Sequence, residues 1–125
     1  MKELFWLGNT LKTVRSFTKD VKDEIGFALY MAQRGDKAHH TVPMVGFGSS
    51  KVVEFVVDDD GSTYRAVYTV KFADVVYVLH AFQKKSVRGA KTPRPDMDLI
   101  HKRLKNAERH FLERRSKQKM KDRIG

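Results

Sequence analysis

The spacing of apolar residues changes several times along the chain, and each change marks a predicted element. Lys2 to Leu7 reads as a short strand ended by Gly8-Asn9, after which Leu11, Val14 and Phe17 recur at helical spacing. Thr18 suits the N-cap of a second helix, in which Val21, Ile25, Ala28, Leu29 and Ala32 form one apolar stripe and Arg34-Gly35 supplies the stop. Residues 36–50 hold Pro43, Gly46 and Gly48 without a sustained period, which predicts one long loop. Val52 to Val57 is a β-branched run, Asp58 to Ser62 a turn and Tyr64 to Phe72 a second strand. After Ala73-Asp74, the nearly uninterrupted apolar run from Val75 to Phe82 fits a central strand.

Thr92-Pro93-Arg94-Pro95 stops the sheet and opens a last helix, whose buried stripe is Met97, Ile100, Leu104, Ala107 and Phe111. The predicted order is βαα, then βββ, then α. That order describes an α+β fold: a small antiparallel sheet, made of the N-terminal strand and a three-strand meander, is packed with two N-terminal helices and a C-terminal helix on one side. Residues 1–112 are read as a single domain and residues 113–125 as a basic C-terminal extension that projects or frays, because no apolar stripe continues there.

A length of 125 residues suits one domain with its own core. The absence of cysteine excludes a disulfide scaffold and a cysteine-based zinc site, and favours the cytoplasm. The N-terminus lacks the apolar run of a signal peptide. No segment approaches the roughly 20 apolar residues that span a bilayer, so no membrane partner is expected.

Charge changes the picture more. The net charge of +10 is unevenly placed: residues 1–64 carry 8 basic against 9 acidic side chains, residues 65–94 carry 7 against 1, and residues 95–125 carry 10 against 5. Clustering of this kind points to a polyanionic partner, since solubility alone does not require it. Within the middle segment, strand alternation sets Arg65, Val67, Thr69 and Lys71 on the face opposite Tyr64, Ala66, Tyr68, Val70 and Phe72. The hairpin at Ala73-Asp74 brings Arg65 opposite Ala81 or Phe82, close to Lys84 and Lys85. Because a shift of one residue reverses the faces, either lysine qualifies as Arg65's neighbour. His80 is a candidate proton carrier or a core histidine, with Val78 and Phe82 expected on its face. Lys51, Lys71, Arg88 and Lys91 are candidate RNA contacts, while Tyr68 and Tyr77 are better read as core than as base-stacking residues. His39-His40 lacks a third ligand at metal spacing, and the Asp58-Asp59-Asp60-Gly61 run lacks the ligand alternation of a calcium loop, so no metal or other cofactor is expected.

Tyr64-Arg65-Ala66-Val67-Tyr68, then Val76-Tyr77-Val78-Leu79 running into His80-Ala81-Phe82-Gln83-Lys84-Lys85, then Lys91-Thr92-Pro93, form a combination that resembles the RelE/HigB toxin family, in particular its phage-derived HigB-like branch. The resemblance covers most of residues 1–112 and implies a RelE-like fold. It further implies a toxin that cleaves messenger RNA on the translating ribosome and is silenced by a cognate antitoxin, of helix-turn-helix type. In such a reaction a ribose 2′-hydroxyl attacks the adjacent phosphate without a metal. Arg65 matches the family's strand arginine, which binds the scissile phosphate, and Lys84 or Lys85 matches the basic position after the last strand. The family often carries Glu-Leu-Arg in the preceding strand; here Glu54-Phe55 is followed by Val56, so that arginine is absent. This departure keeps two alternatives open: a ParE-like toxin that inhibits DNA gyrase, and a non-toxic binder of RNA or the ribosome.

Overall fold

The computed structural model describes residues 1–85 and 91–124. The strands are β1 (Glu3–Trp6), β2 (Thr41–Pro43), β3 (Val52–Asp59), β4 (Ser62–Thr69) and β5 (Val75–Lys84); the helices are α1 (Thr10–Arg15), α2 (Lys19–Gln33) and α3 (Arg94–Ile124). They form one five-stranded sheet in the order β1-β5-β4-β3-β2. The α+β class and the β3-β4-β5 meander are as expected. Two features of the sheet differ. β1 joins β5 in parallel, Glu3 opposite Val75, and the loop after α2 contributes β2, antiparallel to β3.

Local chemistry sets the boundaries. The Thr18 hydroxyl accepts the Val21 N–H and starts α2; Gly35, at φ 84°, lets the chain leave it. Asp59 pairs with Ser62, so the hairpin closes on Asp60 and Gly61 alone, with φ of 48° and 78°. Those positive values are what a two-residue type I′ turn requires, and they let both strands run further toward the turn than their apolar residues indicate.

Helices cover both faces of the sheet rather than one. Val21, Ile25, Ala28 and Leu29 of α2 pack with Phe55, Val57, Tyr64, Ala66, Tyr68, Val76 and Val78. On the other face Ile100, Leu104 and Ala107 of α3 pack with Val52, Val67, Val75, Tyr77 and Leu79. The mistaken expectation has a simple cause: β4 and β5 bury nearly every residue, and a strand that is apolar on both sides needs a layer on each.

With 31 residues, α3 is roughly 46 Å long. Its last buried residue is Ala107, Phe111 stacks on Phe72, and Arg114 reaches Glu3 at 2.7 Å. Residues 115–124 continue the helix and are exposed. No helix among the described residues is long and apolar enough to cross a membrane.

Candidate nucleic-acid interface

The β4–β5 register places Arg65 opposite Phe82 and Thr63 opposite Lys84. Alternation then gives Lys84 the same face as Arg65, the face covered by α3, while Lys85 lies just past the strand and is exposed. A bulge interrupts the ladder: Val67 pairs with His80 but Tyr68 pairs with Val78. Leu79 and His80 therefore both turn toward α3, and Val78 is left on the α2 face. The expected sharing of a face by His80 and Phe82 holds, with their rings stacked at 5.1 Å. The sharing by His80 and Val78 does not, because simple alternation takes no account of the bulge.

Arg65 lies under the surface, held by Glu54 of the neighbouring strand. Glu54 is opposite Val67 and Val56 is opposite Arg65, so Glu54 and Arg65 are diagonal neighbours. Glu54 Oε1 accepts from Arg65 Nη1 at 2.8 Å, with both side chains only 7% exposed. The Thr92 hydroxyl donates to Glu54 Oε2 at 3.2 Å. A carboxylate within the apolar run of β3, on a strand adjacent to a buried arginine, was the signal for this pair.

His80 belongs to a second buried polar group. Its Nε2 is 2.6 Å from Asp96 Oδ1, and its Nδ1 is 3.3 Å from Arg103 Nη1. A guanidinium only donates, so Nδ1 accepts and Nε2 carries the hydrogen given to Asp96. Arg103 also donates to the Leu79 carbonyl and to Asn9 Oδ1, and burial draws its pKa below the ordinary value. Asp96 and Arg103 were not singled out from sequence, because their importance comes from how α3 crosses β5.

The other predicted contacts divide between the two ends of the strands. Lys84 Nζ donates to the Lys91 carbonyl at 2.6 Å, which brings Lys84, Lys85 and Lys91 to the β5 exit near Arg94 at the start of α3. Lys51 and Lys71 lie at the opposite end, about 20 Å away along the strands. There the Lys51 carbonyl accepts from Val70, and Lys71 Nζ pairs with Glu108 at 2.7 Å. Arg88 lies outside the described residues. Tyr68 and Tyr77 are core residues, and the Tyr77 hydroxyl is 2.7 Å from His110 Nδ1. His39 and His40 are exposed in the turn before β2, and the described residues include no cluster of three or more groups able to hold a metal.

The electrostatic result is specific. At the β5 exit, the inward-facing carboxylates of Glu54 and Asp96 are engaged by Arg65, Thr92 and His80. No carboxylate of the described residues pairs with Lys84, Lys85, Lys91 or Arg94. A cationic edge thus surrounds a floor whose own charges are already balanced, which suits a polyanion arriving from solvent.

Residues 12–105 match the family model described as "Phage derived protein Gp49-like (DUF891)", a family commonly of RelE-like toxins. No curated protein and no solved structure matches the chain significantly.

Proposed function

Since this chain belongs to the Gp49-like family of phage-derived proteins, we propose that it is the toxin of a toxin–antitoxin pair and a metal-independent, ribosome-dependent endoribonuclease acting on messenger RNA. The observation that carries the reading is the cationic edge at the β5 exit, where Lys84, Lys85, Lys91 and Arg94 have no acidic partner among the described residues. Phosphates of a bound message meet these side chains first. In the reaction the 2′ oxygen forms a bond to phosphorus and loses its proton, the bond from phosphorus to the 5′ oxygen breaks, and that oxygen takes up a proton. The products are a 2′,3′-cyclic phosphate and a 5′-hydroxyl. Lys84 is on Arg65's side of the sheet and stabilises the charge of the phosphorane; Lys85 lies beside it. Arg65 reaches a phosphate only by loosening its bond to Glu54.

The test is end-mapping of message in a translating extract. Cleavage with cyclic-phosphate ends is expected, and a Lys84→Ala/Lys85→Ala variant should lose about 100-fold or more in rate with an unchanged melting temperature. Intact message, or a double variant as active as the parent, refutes the assignment.

Burial of the Arg65–Glu54 pair favours a second reading, in which Arg65 is structural and the edge binds without cleaving, as in ParE-like inhibitors of gyrase. Inhibited supercoiling with intact message would identify it. In either case a helix-turn-helix antitoxin would silence the protein by laying acidic side chains over the same edge.

A further inference from the structure

We propose that a second site, on the α2 face of the sheet, binds a phosphorylated small molecule of mononucleotide size, its phosphate among Lys2, Lys37 and Lys51 and its body over Tyr68. The site is a pocket of about 340 Å³, walled by Ala32, Val53 and Val70. That volume is at the lower end of the ~300–1,000 Å³ range of small-ligand pockets, which suits one nucleotide rather than a chain.

Two observations point to a ligand. The first is charge: none of the three lysines has a carboxylate partner among the described residues, and Asp36, the acid lining the pocket, is drawn toward Arg34 at 3.9 Å. Cations near a helix C-terminus ordinarily offset its partial negative charge. Here the last α2 carbonyls already accept the N–H groups of Arg34, Gly35 and Asp36, so the lysines remain available to an anion.

The second is an unsatisfied group. Thr41 is 7% exposed, lines the pocket, and its Oγ1 is sealed from water without a hydrogen-bond partner. Burial raises the Tyr68 phenol's pKa and the nearby Thr41 hydroxyl offsets part of that, yet the two do not meet at hydrogen-bonding distance and angle. A buried hydroxyl left unpaired is costly, and a sugar hydroxyl or base edge that displaces the wall at Thr41 would satisfy it. Apolar walls, a polar floor and a cationic rim together match a nucleoside monophosphate. The site is on the sheet face opposite Lys84 and stands independently of the ribonuclease reading.

Calorimetric titration of the full chain with AMP, UMP, adenosine and inorganic phosphate tests it. Saturable binding of a mononucleotide is expected, weakened by salt, with phosphate alone weaker and adenosine undetected. Lys37→Gln/Lys51→Gln should weaken binding at least tenfold, and Thr41→Val should weaken it while raising the melting temperature of the free protein. The proposal is overturned by an absence of saturable binding at millimolar ligand, or by equal binding to Lys37→Gln/Lys51→Gln. It is also overturned if loss of binding follows Lys84→Ala/Lys85→Ala instead, which would place the nucleotide at the β5 exit.

Discussion

Replacing Arg65 by alanine is the obvious probe of catalysis, and the structure predicts that it acts first on folding. The guanidinium and the Glu54 carboxylate meet at 2.8 Å with side chains 7% exposed, so water cannot rehydrate whichever charge is left behind. The Thr92 hydroxyl would remain as a donor to the Glu54 carboxylate, at 3.2 Å. Removing one member of a buried ion pair costs about 3–5 kcal/mol, whereas replacing both by apolar groups of similar volume is often neutral or stabilising. For a 125-residue domain with a total stability of roughly 6–19 kcal/mol, Arg65→Ala consumes a large share. The expected fall in melting temperature is roughly 10–25 °C.

The assay is a double-mutant cycle by urea denaturation: Arg65→Ala, Glu54→Leu, Arg65→Met and Glu54→Leu/Arg65→Met. The double apolar variant should lie within about 1 kcal/mol of the parent, with a coupling energy of about 2 kcal/mol or more. A cost below about 1 kcal/mol for Arg65→Ala, or a double variant no better than the sum of its singles, refutes the account of this pair as a buried clamp. Until that is measured, an inactive Arg65→Ala protein carries no information about chemistry. Lys84→Ala and Lys85→Ala are the cleaner probes.

Other outcomes follow from particular contacts. Gly8 sits at φ 56°, and a Cβ there would lie 2.7 Å from Arg103 Nη2; Gly8→Ala should cost about 1–2 kcal/mol and loosen Arg103 from Leu79 and Asn9, as read by thermal melting and amide exchange. Burial raises the pKa of Tyr68 and Tyr77 above the ordinary 10.0. Their stabilising effect is therefore fully present below about pH 10 and lost as pH rises through the folded-state values, so denaturation should begin in alkali and Tyr68→Phe should flatten that dependence; phenolate absorbance checks it. Residues 116–124 are exposed, so truncation after Arg115 should change stability by less than about 1 kcal/mol in a urea titration.

How much was legible in the sequence depended on how local each determinant is. The Thr18 cap, the Arg34-Gly35 stop and the meander all rest on signals within a few residues, and all are present. β2 was missed because three residues including Pro43 carry no period; it forms only because β3 presents an edge. The bulge at Val67 was missed because alternation presumes a regular ladder.

The placement of charge shows the same division at the site. Composition located the cationic segment correctly, since a sum over residues does not depend on register. Which cations face solvent is decided by pairing, and pairing brought in Glu54, 11 residues before Arg65, and Asp96, 16 residues after His80. The consequence runs opposite to expectation: Arg65, the residue best marked by family resemblance, is neutralised and buried, while Lys84 and Lys85, which the sequence could not separate, stand at the surface edge. An anion approaching from water responds to uncompensated charge within about a Debye length. In the proposed reading the lysines at the β5 exit therefore govern capture, and Arg65 contributes only after Glu54 has yielded. Salt should accordingly weaken binding by the parent far more than by Lys84→Ala/Lys85→Ala, and equal salt slopes for the two proteins would place the polyanion elsewhere.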